Sequence, residues 1–165
     1  MPIIIYNVPG RTGANISAET TLRLAHDFQN IVAIKEASGN FKQIDDIIKN
    51  KPANFMVISG DDGITVELIK RGGDGVISVA ANGFPKVFCN CIHEAMAGNI
   101  TDAESTLNSL LESINLLFKE GNPTGIKTMT HAMGITRSEV RLPLVEGSKI
   151  LKADMERIIK EKSLQ

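Results

Sequence analysis

Ile31-Val32-Ala33-Ile34-Lys35-Glu36-Ala37-Ser38-Gly39-Asn40 runs from four apolar residues through a lysine and a glutamate into small turn formers. A short apolar run closed by turn signals fits a buried parallel strand, here residues 31–36. Lys35 then stands at the C-terminal end of that strand, the edge at which parallel α/β folds place their chemistry. A lysine with its stem in an apolar wall can lose ammonium character through desolvation. The neutral amine is a nucleophile that forms Schiff bases with carbonyl compounds. The same residues also fit a lysine that snorkels from a strand end and pairs with Glu36.

Outward from this strand the pattern repeats. Ile3-Ile4-Ile5-Tyr6-Asn7 predicts a first strand, and Val8-Pro9-Gly10-Arg11-Thr12-Gly13 the loop that follows it. Ser17 is placed to cap a helix over 18–28, with Glu19 in its first turn. After strand 31–36 comes a helix over 41–49, with Phe41, Ile44, Ile47 and Ile48 at helical spacing. Residues 55–59 predict a third strand, followed by Gly60-Asp61-Asp62-Gly63 and a short helix ending at Gly72-Gly73. Residues 75–80 predict a fourth strand, and Asn82-Gly83-Phe84-Pro85 turns into a helix over 85–97. Four strand–loop–helix units in series call for a parallel sheet.

The rest reads as helical. Thr101-Asp102-Ala103-Glu104 fits a capping box opening a helix to about residue 120, with Leu107, Leu110, Leu111, Ile114, Leu117 and Phe118 on its apolar face. Pro123 opens a further helix ending at Gly134, residues 135–147 read as irregular, and Ser148 is placed to cap a last helix over 149–162. The expected organisation is α/β: residues 1–98 as half of a (β/α)8 barrel with four parallel units, and residues 99–165 as a C-terminal helical region. A closed barrel takes about 250 residues, and an open four-stranded sheet leaves two edges unpaired. A second copy or a complementing half-barrel is the expected remedy.

The 165 residues carry a formal net charge of −1, one tyrosine and no tryptophan, which argues against nucleic acid or an anionic membrane as partner. No apolar run approaches the roughly 20 residues of a membrane span. The start, Met1-Pro2-Ile3-Ile4-Ile5, lacks the basic region of a signal peptide. Cys89 and Cys91 are two apart in an expected helix and point to different faces, so they do not bridge each other. A reduced, cytoplasmic setting is expected.

Four motifs in order carry a resemblance. Tyr6-Asn7-Val8-Pro9-Gly10-Arg11-Thr12-Gly13, Ile34-Lys35-Glu36-Ala37-Ser38-Gly39, Ser59-Gly60-Asp61-Asp62 and Gly75-Val76-Ile77-Ser78-Val79 stand on successive strand ends. Together they resemble the dihydrodipicolinate synthases, of the pyruvate-dependent class I aldolase superfamily that includes N-acetylneuraminate lyase. Asn122-Pro123 and Arg141-Leu142-Pro143 are similar to that family's C-terminal helical part. The resemblance covers essentially all of this chain, but only about the last half of a family chain: barrel strands five to eight and the helices after them.

The resemblance implies a lyase that condenses pyruvate with aspartate semialdehyde on the way to diaminopimelate and lysine. It needs no metal or organic cofactor. Lys35 matches the lysine that forms the imine with pyruvate, and Tyr6 the tyrosine that relays protons. Arg11 matches the arginine that holds the semialdehyde carboxylate, a task suited to a planar guanidinium. Gly60 and Ile77 match positions whose backbone carbonyls face the substrate. Arg11 and the Val-Pro-x-Arg-Thr-Gly wording favour the synthases over the sialic-acid lyases. The family's paired threonines, its second tyrosine and most of its lysine-inhibition site have no counterpart in these residues. The chain alone is therefore expected to be a partial enzyme, with a non-catalytic half-barrel as the alternative. The family resemblance also implies a homo-oligomer.

Other clusters carry less. In Cys89-x-Cys91-x-His93 only Cys89 and His93 share a helical face, and no second ligand pair follows, so no metal site is expected. Gly72-Gly73-Asp74-Gly75 precedes a strand instead of opening a helix, a poor phosphate loop. Met96, Met129 and Met133 read as core packing, and His26 and His131 as ordinary helix residues.

Overall fold

In a computed structural model that describes residues 1–162, four strands form one parallel sheet in the order β1-β2-β3-β4. They are β1 (Ile3–Asn7), β2 (Ile31–Glu36), β3 (Met56–Ser59) and β4 (Gly75–Val76). Between and after them run α1 (Pro9–Thr12), α2 (Ala18–Asp27), α3 (Phe41–Asn50), α4 (Thr65–Lys70) and α5 (Pro85–Met96). Then follow α6 (Ile100–Lys119), α7 (Thr124–Ala132) and α8 (Lys149–Lys162). This is a partial (β/α) barrel followed by further helices, as the repeating pattern requires.

The chain divides into two compact units, Met1–Ser78 with Glu94–Ile100, and Val79–His93 with the residues from Thr101 on. In the first unit, alternation along the strands sends Ile5, Ile34 and Val57, which are register partners, to one side of the sheet. There they pack with Ala25, Ile47 and Phe55 and with the partly buried Ile16, Ala18 and Ile48. The opposite face presents Ile4, Tyr6, Lys35, Met56 and Ile58. Of these Ile4, Tyr6 and Met56 are 46%, 49% and 41% exposed. In the second unit Leu107, Leu110, Ile114 and Leu117 of α6 are buried, as are Met129 of α7 and Leu151, Met155 and Ile158 of α8. α7 packs against α8.

Helix ends follow the side-chain caps. The Ser17 hydroxyl accepts from Thr20 N–H at 3.2 Å and the Ser148 hydroxyl from Leu151 N–H at 3.1 Å, both as expected. Asn40 caps α3 by accepting from Gln43 N–H at 3.2 Å.

Four local expectations fail. The Val8–Gly13 stretch is not simply a loop. Proline preset for a first helical turn makes it the one-turn helix α1, closed by Gly13 at φ +69°, whose N–H bonds Pro9 C=O at 2.9 Å. β4 is two residues long instead of six, although Ile77 N–H still reaches Ser59 C=O at 3.0 Å. Ala80–Asn82 winds into a 3₁₀ turn, and the Asn82 side chain donates to Val79 C=O at 3.1 Å. α6 starts at Ile100, so Thr101 lies inside its first turn and is no cap. Met96 is 57% exposed where core packing was expected, whereas Met129 is fully buried.

Candidate active site

Parallel pairing lines up the C-terminal ends of the strands on one rim. Tyr6 is the register partner of Lys35, and Lys35 of Ile58. Tyr6 and Lys35 therefore project from the same face, opposite the one on which Ile5, Ile34 and Val57 pack. The Lys35 Nζ stands 4.4 Å from the centre of the Tyr6 ring, a cation–π contact worth about 0.5–1 kcal/mol at an exposed position. Gly60, the residue after β3, closes the other side of the lysine. A Cβ added there would lie 3.1 Å from Lys35 Cε, 3.2 Å from Lys35 Cγ and 2.7 Å from Ala37 Cβ. The missing side chain is what lets the lysine stem lie across the end of β3. Gly60 N–H is spent on Glu36 C=O at 2.8 Å, so the ladder holds to the end of the strands.

The other two expected residues flank this cluster. Arg11 lies on the exposed α1, in the connection that leaves β1. Ile77 follows β4, is 44% exposed and is fixed by its N–H to Ser59. Ser59 itself is buried, and its hydroxyl donates to Asp61 C=O at 2.8 Å and lies 3.0 Å from the Thr65 hydroxyl, so the turn after β3 is held from within. Tyr6, Lys35 and Gly60 are thus in one cluster, with Arg11 and Ile77 on the chain segments at the same rim.

Glu36 does not pair with Lys35. Strand alternation turns it to the helix side, where it is 0% exposed. There its carboxylate accepts from Asn7 Nδ2 at 3.1 and 3.0 Å, from Gln43 Nε2 at 3.1 Å and from Ser38 N–H at 2.6 Å. Asn7 is 2% exposed and also donates to Asn15 Oδ1 at 2.8 Å, and its Oδ1 accepts from Ile16 N–H at 3.2 Å. Asn15 and Gln43 close the ring of side chains, Asn15 Nδ2 donating to Gln43 Oε1 at 3.0 Å. Sequence reasoning missed this network. The signal was present: polar residues follow Tyr6 and Lys35 at the apolar strands' ends, and period two sends them to the packed side.

Among the described residues, no three His, Cys, Asp or Glu side chains gather to hold a metal ion, and no helix is long and apolar enough to cross a membrane. In α5, Cys89 is exposed and Cys91 buried.

Residues 1–162 match the model of the dihydrodipicolinate synthetase family. The chain is 57% identical to a 4-hydroxy-tetrahydrodipicolinate synthase of Phocaeicola vulgatus over 145 residues, 88% of this chain and 49% of that protein. It is 49% identical to the 4-hydroxy-tetrahydrodipicolinate synthase of Parabacteroides distasonis over 165 residues, all of this chain and 56% of the relative. Among solved structures, the dihydrodipicolinate synthase of Thermotoga maritima superposes with a TM-score of 0.96 at 39% identity, covering 100% of this chain and 57% of that one. The chain spans about half the length of the curated relatives it matches.

Proposed function

The chain belongs to the dihydrodipicolinate synthetase family, and from that premise we propose that Lys35 is the amine that forms an imine with pyruvate, for condensation with aspartate semialdehyde. The observation that carries this is the Lys35–Tyr6 pair, joined in register at the sheet rim, with Gly60 leaving room for the lysine stem. The Lys35 amine adds to the ketone carbon, water leaves, and a protonated imine forms. Loss of a methyl proton sends the C–H electron pair toward the imine nitrogen and gives an enamine. Its carbon attacks the aldehyde, and the amino group of the adduct displaces Lys35 as the ring closes. Tyr6 carries protons between these steps. Arg11 holds the semialdehyde carboxylate, and the carbonyls of Gly60 and Ile77 face the substrate. The protein contributes an oriented nucleophile, a proton carrier and a carboxylate anchor.

On the same reading these 165 residues correspond to barrel strands five to eight and the helices after them. A second copy or a complementing half-barrel then covers the exposed Ile3 and Ile4 of the edge strand β1. Those exposed residues equally favour a second reading, a half-barrel that assembles without turning over. Reduction with borohydride in the presence of pyruvate, followed by peptide mass mapping, separates the two. Labelling of Lys35, with Lys70 and Lys86 unlabelled, supports the lyase. A chain folded by circular dichroism whose Lys35 stays unlabelled overturns it.

A further inference from the structure

Two dipeptides end the first two strands, Tyr6-Asn7 and Lys35-Glu36, and each spans the sheet. Tyr6 and Lys35 point to the open face, while Asn7 and Glu36, also register partners, point to the helix side. We propose that Asn7 and Glu36, braced by Gln43 and Asn15, form a positioning clamp that holds Lys35 over the Tyr6 ring. The inference rests on the reading of Lys35 as the imine-forming amine, but its physical content is the geometry of the Lys35–Tyr6 pair.

The need for a clamp follows from where the pair sits. Both strands end at this level: the chain leaves β1 for α1 and β2 for the Ala37–Asn40 turn. Past the ends of β1 and β2 the backbone ladder continues through Ala37 N–H to Asn7 C=O at 2.9 Å and Gly60 N–H to Glu36 C=O at 2.8 Å. Two flexible features, a four-carbon lysine stem and a half-exposed ring, must nevertheless stay in contact. The Glu36 carboxylate supplies the rigidity from behind. Its two oxygens take donors from β1 (Asn7), from α3 (Gln43) and from its own turn (Ser38). Asn7 cannot swing free, because Asn15 and Ile16 hold both ends of its amide. Each of these groups is paired, and in a buried place an unpaired one would be costly.

The pattern is also directional. Every partner of the Glu36 side chain is a donor. Glu36→Gln keeps the shape but sets an NH2 group against one of those donors. Asn7→Asp added to Glu36→Gln restores an acceptor opposite the new donor. The chain has one tyrosine and no tryptophan, so the tyrosine band of near-ultraviolet circular dichroism and tyrosine fluorescence report Tyr6 alone. Tyr6 is therefore an optical reporter of the clamp, whether or not Lys35 reacts.

The experiment compares this chain with E36Q, N7D/E36Q and N15A under conditions where far-ultraviolet circular dichroism shows all folded. It reads the Tyr6 band and the rate of borohydride trapping of pyruvate on Lys35. Expected are a weakened Tyr6 band and about tenfold slower trapping in E36Q, since small misplacements of a reacting group are costly. Partial recovery of both readouts is expected in the double variant, because the carboxylate of N7D no longer donates to Asn15 Oδ1, and a smaller change of the same sign in N15A. Asn15 is exposed, so N15A carries the test if E36Q does not fold. An unchanged Tyr6 band and trapping rate in folded E36Q, or in N15A where E36Q is unfolded, overturns the clamp. If the parent chain is not labelled at Lys35, the imine chemistry fails while the Tyr6 band still decides the clamp: weakening in E36Q supports it, and no change overturns it.

Discussion

Gly60→Ala is the sharpest probe of how the lysine is seated. The new Cβ would stand 2.7 Å from Ala37 Cβ, 3.1 Å from Lys35 Cε and 3.2 Å from Lys35 Cγ. Carbon atoms rest at about 3.5–4.0 Å, so the gap to Ala37 is short by about 1 Å. The lysine stem can give way by turning. Ala37 cannot readily do so, because its Cβ is fixed to a backbone whose N–H bonds Asn7 C=O at 2.9 Å. Relief therefore comes from a shift of the rim, at a cost of about 1–3 kcal/mol for overpacking. For a chain of this length that lowers the melting temperature by about 3–9 °C. Because the lysine must also move, trapping of pyruvate on Lys35 should slow about tenfold. Gly10→Ala is the control: a Cβ there meets no heavy atom within 4 Å, and the position is helical. It should keep or slightly raise stability, since alanine favours a helix over glycine by up to about 1 kcal/mol. Thermal melts by circular dichroism and timed borohydride reduction give both numbers. Parent-like melting and parent-like labelling in G60A would refute the packing of Gly60 against the lysine.

Two further outcomes follow from the second unit. Burial pushes the Cys91 thiol above its ordinary value, and the thiol donates to Ala103 C=O at 3.2 Å, whereas Cys89 is exposed. Iodoacetamide at mildly alkaline pH should therefore modify Cys89 in the folded chain and reach Cys91 only on unfolding, as peptide mass mapping would show; equal rates would refute this. Glu120 accepts from Ser148 N–H at 2.8 Å and from the Ser148 hydroxyl at 2.5 Å, and these bonds hold it below the usual carboxylate range. The folded chain then binds that proton less readily than the unfolded chain does. The stabilisation is complete above the ordinary carboxylate value and is lost as pH falls through the lowered one. A pH series of melts should show a smaller acid-side loss in Glu120→Gln, and an identical loss would count against the bond.

The strands were legible where composition changes sharply. The apolar run 31–34 and the turn formers after it mark β2 to the residue, and Ser17 and Ser148 mark helix starts because a cap is a local hydrogen bond. β4 was overestimated because Ile77, Ser78 and Val79 suit a strand in isolation. Their fate depends on whether a neighbour extends beyond Ser59, and the chain there instead turns into Asp61 and the 3₁₀ turn Asp62–Ile64. Met96 was misplaced for a similar reason. It ends α5 and is exposed, while Ala95 and Ile92 are buried. Lys35, Tyr6 and Gly60 were legible together only because four motifs occur in order; each alone fits an ordinary strand end or turn.

Glu36 shows why the helix side of the rim escaped. A lysine and a glutamate in sequence suggest an ion pair, yet neighbours on a strand face opposite ways, and opposite charges one residue apart cannot meet without leaving the sheet. The carboxylate is instead held by three neutral donors, two side-chain amides and one backbone N–H, 2 to 29 residues away. Sequence patterns of alternating polarity identify a face as polar or apolar, and here the polar residue lies on the apolar side. Its burial is tolerated because both of its oxygens accept hydrogen bonds, which can be known only after β1, α3 and the turn at Ser38 have been brought together. The same dipeptide thus carries two separable properties. Lys35 is half-buried on one face of the sheet and Glu36 is fully buried on the other, so on the proposed reading the amine and the group that keeps it in place are joined by a single peptide.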